Sequence, residues 1–155
     1  MAVQTRVISG ELDDSHMLYG HPLAATLGYG ITATPMVTPY NLSINGMGLT
    51  ISNAVWKEMA ATDSRLKTPG YTMPVSDATL KPIAAADKAA GHPLTFFMTF
   101  PCGSHNFLLR YWLAAGGVHP GFYAGMGGSP GTDDADVTLA VDPPPQMVSA
   151  MNQNT

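Results

Sequence analysis

Apolar and polar residues along this chain repeat one local pattern three times: a short apolar run, a tight turn of Gly, Pro or Ser, then a stretch with helical period. The clearest copy is residues 94–100 (LTFFMTF), apolar and aromatic almost throughout, which predicts a fully buried strand. Pro101-Cys102-Gly103-Ser104 turns the chain, and residues 105–115 (HNFLLRYWLAA) predict a helix stopped by Gly116 and Gly117. Phe107, Leu108, Tyr111 and Trp112 fall at i, i+1, i+4 and i+5 and form the face expected to pack on the sheet. The first copy is a strand over 13–18, the turn Tyr19-Gly20-His21-Pro22, and a helix over 23–27. Pro22 suits its first position and Gly28 its exit. The third is a strand over 137–141, the turn Asp142-Pro143-Pro144-Pro145, and a helix from near Gln146. The prolines forbid a continuing strand.

Between the copies, residues 35–52 alternate apolar and polar positions in extended fashion, broken at Asn45-Gly46. Residues 55–61 and 79–90 predict helices, the second Ala-rich and closed by Gly91, while 62–77 and the Gly-rich 121–134 predict exposed loops. Strands alternating with helices predict an α/β architecture with mostly parallel strands, 94–100 being central.

Composition narrows the class. Of 155 residues, 45% are apolar and only 12% charged, which is too apolar for a disordered chain. Sixteen Gly and 13 Pro interrupt every apolar run well short of the ~20 residues a membrane-spanning helix needs. The net charge of −4 gives no electrostatic case for nucleic acid or an anionic membrane surface. Cys102 stands alone, so no internal disulfide forms, and residues 1–10 lack the basic and apolar regions of a secretory signal.

The candidate chemistry lies where strands feed helices. In open α/β sheets ligands bind outside the carboxyl ends of strands. There the first helical N–H groups are unpaired and the helix end carries about half a positive charge, a site that holds anions without any basic residue. Gly103, Ser104 and His105 suit such a site: close backbone approach, a hydroxyl and an imidazole. The alternative is that Ser104 merely caps the helix and His105 is a solvated first-turn residue. Cys102, three residues before His105, reads as a buried free thiol, because a catalytic cysteine needs a base oriented by a third group. The five histidines show no closely spaced metal-ligand pair, and residues 125–131 lack the Lys and Ser/Thr of a phosphate loop. The sequence implies no cofactor.

Four segments in the same order resemble the nitrate- and bicarbonate-binding proteins of ABC importers: residues 10–22 (GELDDSHMLYGHP), 42–52 (LSINGMGLTIS), 98–117 (MTFPCGSHNFLLRYWLAAGG) and 141–148 (VDPPPQMV). The third is the most specific. The resemblance implies a periplasmic binding protein-like fold of type II, with residues 1–44 part of the first lobe, 45–155 an incomplete second lobe and a hinge crossing near 42–49. It implies a non-catalytic protein holding a small oxyanion (nitrate, nitrite or bicarbonate) between lobes. Its partners would be ABC permease and ATPase subunits, its location periplasmic or membrane-anchored in a longer parent. The family's histidine lands on His105 with Ser104 beside it, the second proline of its P-P-x-Q-M turn on Pro144, and its N-G-Q hinge segment on Asn45-Gly46-Met47. Met47 thus replaces an amide donor, and His21, next to Tyr19, replaces a methionine beside the pocket. Segments 57–77 and 122–134 stand as insertions. Two rival readings keep the fold: a cytoplasmic nitrate sensor acting through an RNA-binding partner, and an enzyme like the pyrimidine-synthesising relatives of thiamin metabolism.

Overall fold

The computed structural model describes residues 2–29, 31–42, 46–68, 74–121 and 134–153. The Gly-rich stretch 122–133 and Asn45 lie outside the described residues.

The fold is mixed, six helices around one small parallel sheet among the described residues. Strand β1 (Thr95–Met98) pairs in parallel with β2 (Thr138–Val141), Thr95 opposite Thr138 and Met98 opposite Val141. Helix α5 (Ser104–Ala115) follows β1, and α6 (Pro144–Asn152) follows β2, so the second and third copies of the pattern fold as expected. The strand is neither central nor fully buried. Among the described residues the sheet has two strands and one edge of β1 has no partner strand, and only its Met98 is buried. The expected strand over 13–18 makes no ladder. Its turn nevertheless starts α2 (Gly20–Leu27), which ends at Gly28 with φ 70°, the glycine N–H bonding back to Ala24 and Ala25 carbonyls. Helix α1 (Ala2–Ile8) had no counterpart in the pattern.

The core gathers Met59 and Ala60 of α3 (Asn53–Thr62), Leu80, Ile83 and Ala84 at and within α4 (Lys81–Ala89), Met98, Leu109, Leu113 and Leu139. Ser52 Oγ accepts the Val55 N–H and starts α3. Leu66 joins this core from a 3₁₀ turn over Ser64–Lys67, in a stretch the pattern marked as exposed loop. Asp63 caps that turn, accepting from the Arg65 amide and guanidinium, so the loop carries its own stop and start signals.

Helix α5 turns a different face inward from the one its aromatics suggest. Asn106, Leu109 and Leu113 are buried, whereas Phe107, Leu108 and Tyr111 are exposed, Tyr111 by 75%. Positions 106, 109 and 113 make a stripe at i, i+3 and i+7, one helical step from the expected set. Trp112 sits at the border: it packs on the core and donates from Nε1 to the Val75 carbonyl at 2.9 Å. Buried Asn106 is satisfied by donating to the Pro101 carbonyl and accepting from Arg110 Nε at 2.8 Å. Arg110 also donates to the Gly121 carbonyl at 2.7 Å, tying the exit of α5 to its first turn.

At the far end of α5 the chain passes so close to Asp77 that a Cβ on Gly116 would lie 1.8 Å from its Oδ1. Only glycine fits there. Burial holds the Asp77 carboxyl above the usual carboxylate range.

Candidate anion site

The β1–α5 turn is built by its own backbone. Gly103, buried and extended (φ −84°, ψ 156°), is the residue before the helix and donates to the Phe100 carbonyl at 3.2 Å. Ser104 and His105 are therefore the first two helical residues, and their N–H groups find no acceptor among the described residues. Ser104 does not cap this helix. Its hydroxyl accepts the Gly20 N–H at 3.1 Å, across 84 residues of sequence. His105 Nδ1 lies 3.3 Å from Thr99 Oγ1, the donor set by the tautomer.

A groove of about 1140 Å³ opens beside β1, between the extended residues 47–52, α3, α5 and α6. His105, Thr99, Met47 and Pro144 all line it. Glu58, Asp87 and His92 line it as well, and no Lys or Arg does among the described residues. The polar side chains of the groove are hydroxyls, imidazoles and carboxylates, with no ammonium or guanidinium group among the described residues.

The sequence-chosen residues fall into two groups on either side of His105. Met47 and Pro144 share the groove with it. Gly103, Ser104 and His21 lie instead at the junction where α2 abuts α5. There a Cβ on Gly20 would come within 2.8 Å of Ser104 N. His21 is 5% exposed, its ring edge-on to Phe100 at 5.2 Å, and its Nε2 has no partner. Burial first, and to a lesser degree the neighbouring His105, lower its pKa below the ordinary histidine value. Tyr19 precedes α2 and is 60% exposed, its ring contributing no cap. Asn45 cannot be placed with either group, being outside the described residues.

Sequence reasoning missed Thr99, although it stands in the T-F-P run and signals the hydroxyl at the strand's end. It also missed Gln4, whose side chain donates to the His21 carbonyl at 3.0 Å and carried no signal within its own segment. Among the described residues no three His, Cys, Asp or Glu side chains converge as a metal ion would require.

Comparison with known proteins agrees with the motifs. A model of the NMT1-like family matches residues 1–155. The nitrate/nitrite binding protein NrtA of Synechococcus elongatus is 36% identical over 150 residues, 94% of this chain and 28% of that protein. The nitrate import ATP-binding protein NrtC of Synechocystis sp. is 36% identical over 149 residues, 96% of this chain and 18% of that protein. The bicarbonate transport ATP-binding protein CmpC of Synechococcus elongatus is 32% identical over 145 residues, 93% of this chain and 18% of that protein. This chain thus spans 28% or less of the length of these relatives, which are named for binding and transport. No solved structure matches it. Matched by the family model along its whole length, the chain belongs to the NMT1-like family.

Proposed function

We propose that this chain is part of the substrate-binding component of a nitrate-type ABC importer, and that it holds a small oxyanion at the N-terminus of α5. The observation that carries this is the turn itself. Two helical amides without an acceptor among the described residues, at Ser104 and His105, stand beside the His105 imidazole, and His105 lines an open groove. Half a positive charge at the helix end favours an anion there. The alternation of β1, α5, β2 and α6 suits a lobe of a type II binding protein. In this reading residues 1–44 belong to the first lobe and 45–155 to the second, and closure of the lobes near 42–49 shuts the groove over the anion. The partners are the permease and ATPase subunits of the importer, and the site faces the periplasm. Met47, a thioether where a donor would serve, leaves that wall unable to donate, so the imidazole and amides bear more of the grip.

Calorimetric titration of the chain with nitrate, nitrite and bicarbonate tests the reading. A hydrogen bond to a charged partner is worth about 1.5–3 kcal/mol, so His105→Ala should weaken the preferred anion by roughly 10- to 150-fold. If His105→Ala binds every anion as well as the parent, the site lies elsewhere.

A further inference from the structure

The groove beside β1 is far larger than a small oxyanion. Nitrate fills on the order of 60 Å³, about twice one water's share of liquid volume, against about 1140 Å³ for the groove. Along its wall runs a bare strand edge. The Leu94 and Met98 carbonyls accept the Thr138 and Asp142 N–H groups at 2.8 and 3.0 Å, so the even-numbered positions of the strand face β2. In a parallel ladder the backbone groups of the intervening residues point the opposite way. Those of Thr95 and Phe97 find no partner among the described residues. β1 carries neither Lys nor Pro, the residues that keep an edge from pairing. Across the groove, residues 48–51 are also extended and make no backbone hydrogen bond among the described residues. Leu108, Met147 and Met151 add apolar wall. Two carboxylates, Glu58 and Asp87, line the groove too, and the ion pairs among the described residues use other acids. Asp87 lies toward the start of β1: its carbonyl accepts the His92 N–H at 3.1 Å, and His92 shortly precedes Thr95.

We propose that the groove is a docking site for an extended segment of a partner polypeptide, which adds to the edge of β1 as a third strand and sets a Lys or Arg beside Asp87 and Glu58. Main-chain hydrogen bonds to Thr95 and Phe97 give such a strand its affinity, and alternate side chains that enter the apolar walls give it selectivity. β1 spans about 13 Å at roughly 3.3 Å per residue, room for four or five residues of the partner. The cation follows from the lining. Two carboxylates without a counter-charge, in a groove with no Lys or Arg among the described residues, attract a basic segment and repel an acidic one. A second copy of this chain fits less well. Its own exposed extended stretch, residues 35–42 (PMVTPYNL), contains neither Lys nor Arg, and its prolines cannot donate to an edge. A strand so placed fills the apolar part of the groove and leaves the His105 end to the anion. The docking surface goes beyond the anion-binding reading and does not rest on it.

The test is fluorescence titration of the chain with the end-capped hexapeptide Lys-Val-Thr-Val-Thr-Val, since Trp112 lines the groove and its emission reports filling. Saturable binding with a Kd below about 1 mM is expected, together with slower hydrogen exchange at the Phe97 amide. Two further peptides carry N-methyl groups on alternate amides, one set for each edge of the strand. At least one of them should bind about tenfold more weakly or worse, because its donors to β1 are gone. Asp87→Asn should weaken the Lys peptide about two- to fivefold and leave a peptide with Ala in place of that Lys unchanged. If circular dichroism shows that variant to be unfolded, the peptide series on the unaltered chain decides the matter. No binding of the Lys peptide up to about 1 mM, or equal binding of both methylated peptides, overturns the proposal. Equal effects of Asp87→Asn on the Lys and Ala peptides overturn the basic partner. Sedimentation that shows self-association, with the Phe97 amide protected as protein concentration rises, gives the edge to a second copy instead. Nitrate added to the peptide-saturated chain reads the anion site separately, so either reading can fail while the other stands.

Discussion

Elements from α3 to β2 share one apolar cluster, to which α3, α4, β1, α5 and β2 each give a buried side chain. Helices α1 and α2 give none. Their buried residues, Gln4, Gly20, His21, Ala24 and Ala25, are small or polar, and what fixes them is hydrogen bonding: Gln4 to the His21 carbonyl, Gly20 to Ser104. Leu23 and Leu27 of α2 point outward, Leu27 with 79% of its surface exposed. One region is held by area removed from water, about 25 cal/mol per Å². The other is held by directional bonds at one junction. A region of the second kind depends on a few atoms, and those atoms lie beside the candidate anion site.

Truncation in the cluster should show the largest effect. Leu113, fully buried, should cost about 2–5 kcal/mol when changed to Ala, read from denaturant unfolding. A loss under about 1 kcal/mol would mean that the cluster does not hold this region together. Next comes the junction. Gly20→Ala would drive a Cβ to 2.8 Å from Ser104 N and 3.1 Å from the Cys102 carbonyl, atoms of backbone that cannot step aside. We expect a loss of about 1–3 kcal/mol in the same measurement, the usual cost of overpacking; a neutral outcome would show α2 free to leave α5. Smaller in size but distinct in shape is Asp77→Asn. Because the native carboxyl holds its proton more tightly than the unfolded chain does, stability is greatest below the ordinary Asp pKa and falls as the pH rises through the raised native one. The amide removes that slope, while stability at neutral pH stays within about 1 kcal/mol. Unfolding curves across pH that keep their slope in the variant would assign it to another group. Smallest is Leu27→Ala, which should lie within about 0.5 kcal/mol of the parent. A larger loss would show that α2 packs through its outer face after all.

Punctuation residues made the helix ends readable. Gly28, Gly91 and the Gly116-Gly117 pair end helices where glycine is cheapest, and the prolines at 82 and 143–145 start them. The inward face of α5 was not readable, because three large apolar side chains point to the groove side and solvent while a buried asparagine, paired with Arg110, takes an inward position. Burial of Asn106 is a property of its partners, not of its own hydropathy. Residues 13–18 have strand composition without a neighbouring strand to pair with, and pairing is what makes a strand. The site divided the same way. His105 on its turn was legible from local spacing, whereas its approach to Thr99, six residues back at the end of β1, was not read. The Gly20–Ser104 bond joins residues 84 apart and left no local trace.

Cys102 gives the junction a built-in clock. It is the only sulfhydryl in the chain, it is buried where the start of α2 comes down on the turn before α5, and burial pushes its thiol pKa up. Thiolate is the form that reacts with alkylating or disulfide reagents, so the closed molecule is nearly inert to them. Each labelling event then records one excursion of α2 away from α5, and its rate gives the opening frequency of the hydrogen-bonded half of the molecule without any mutation or probe.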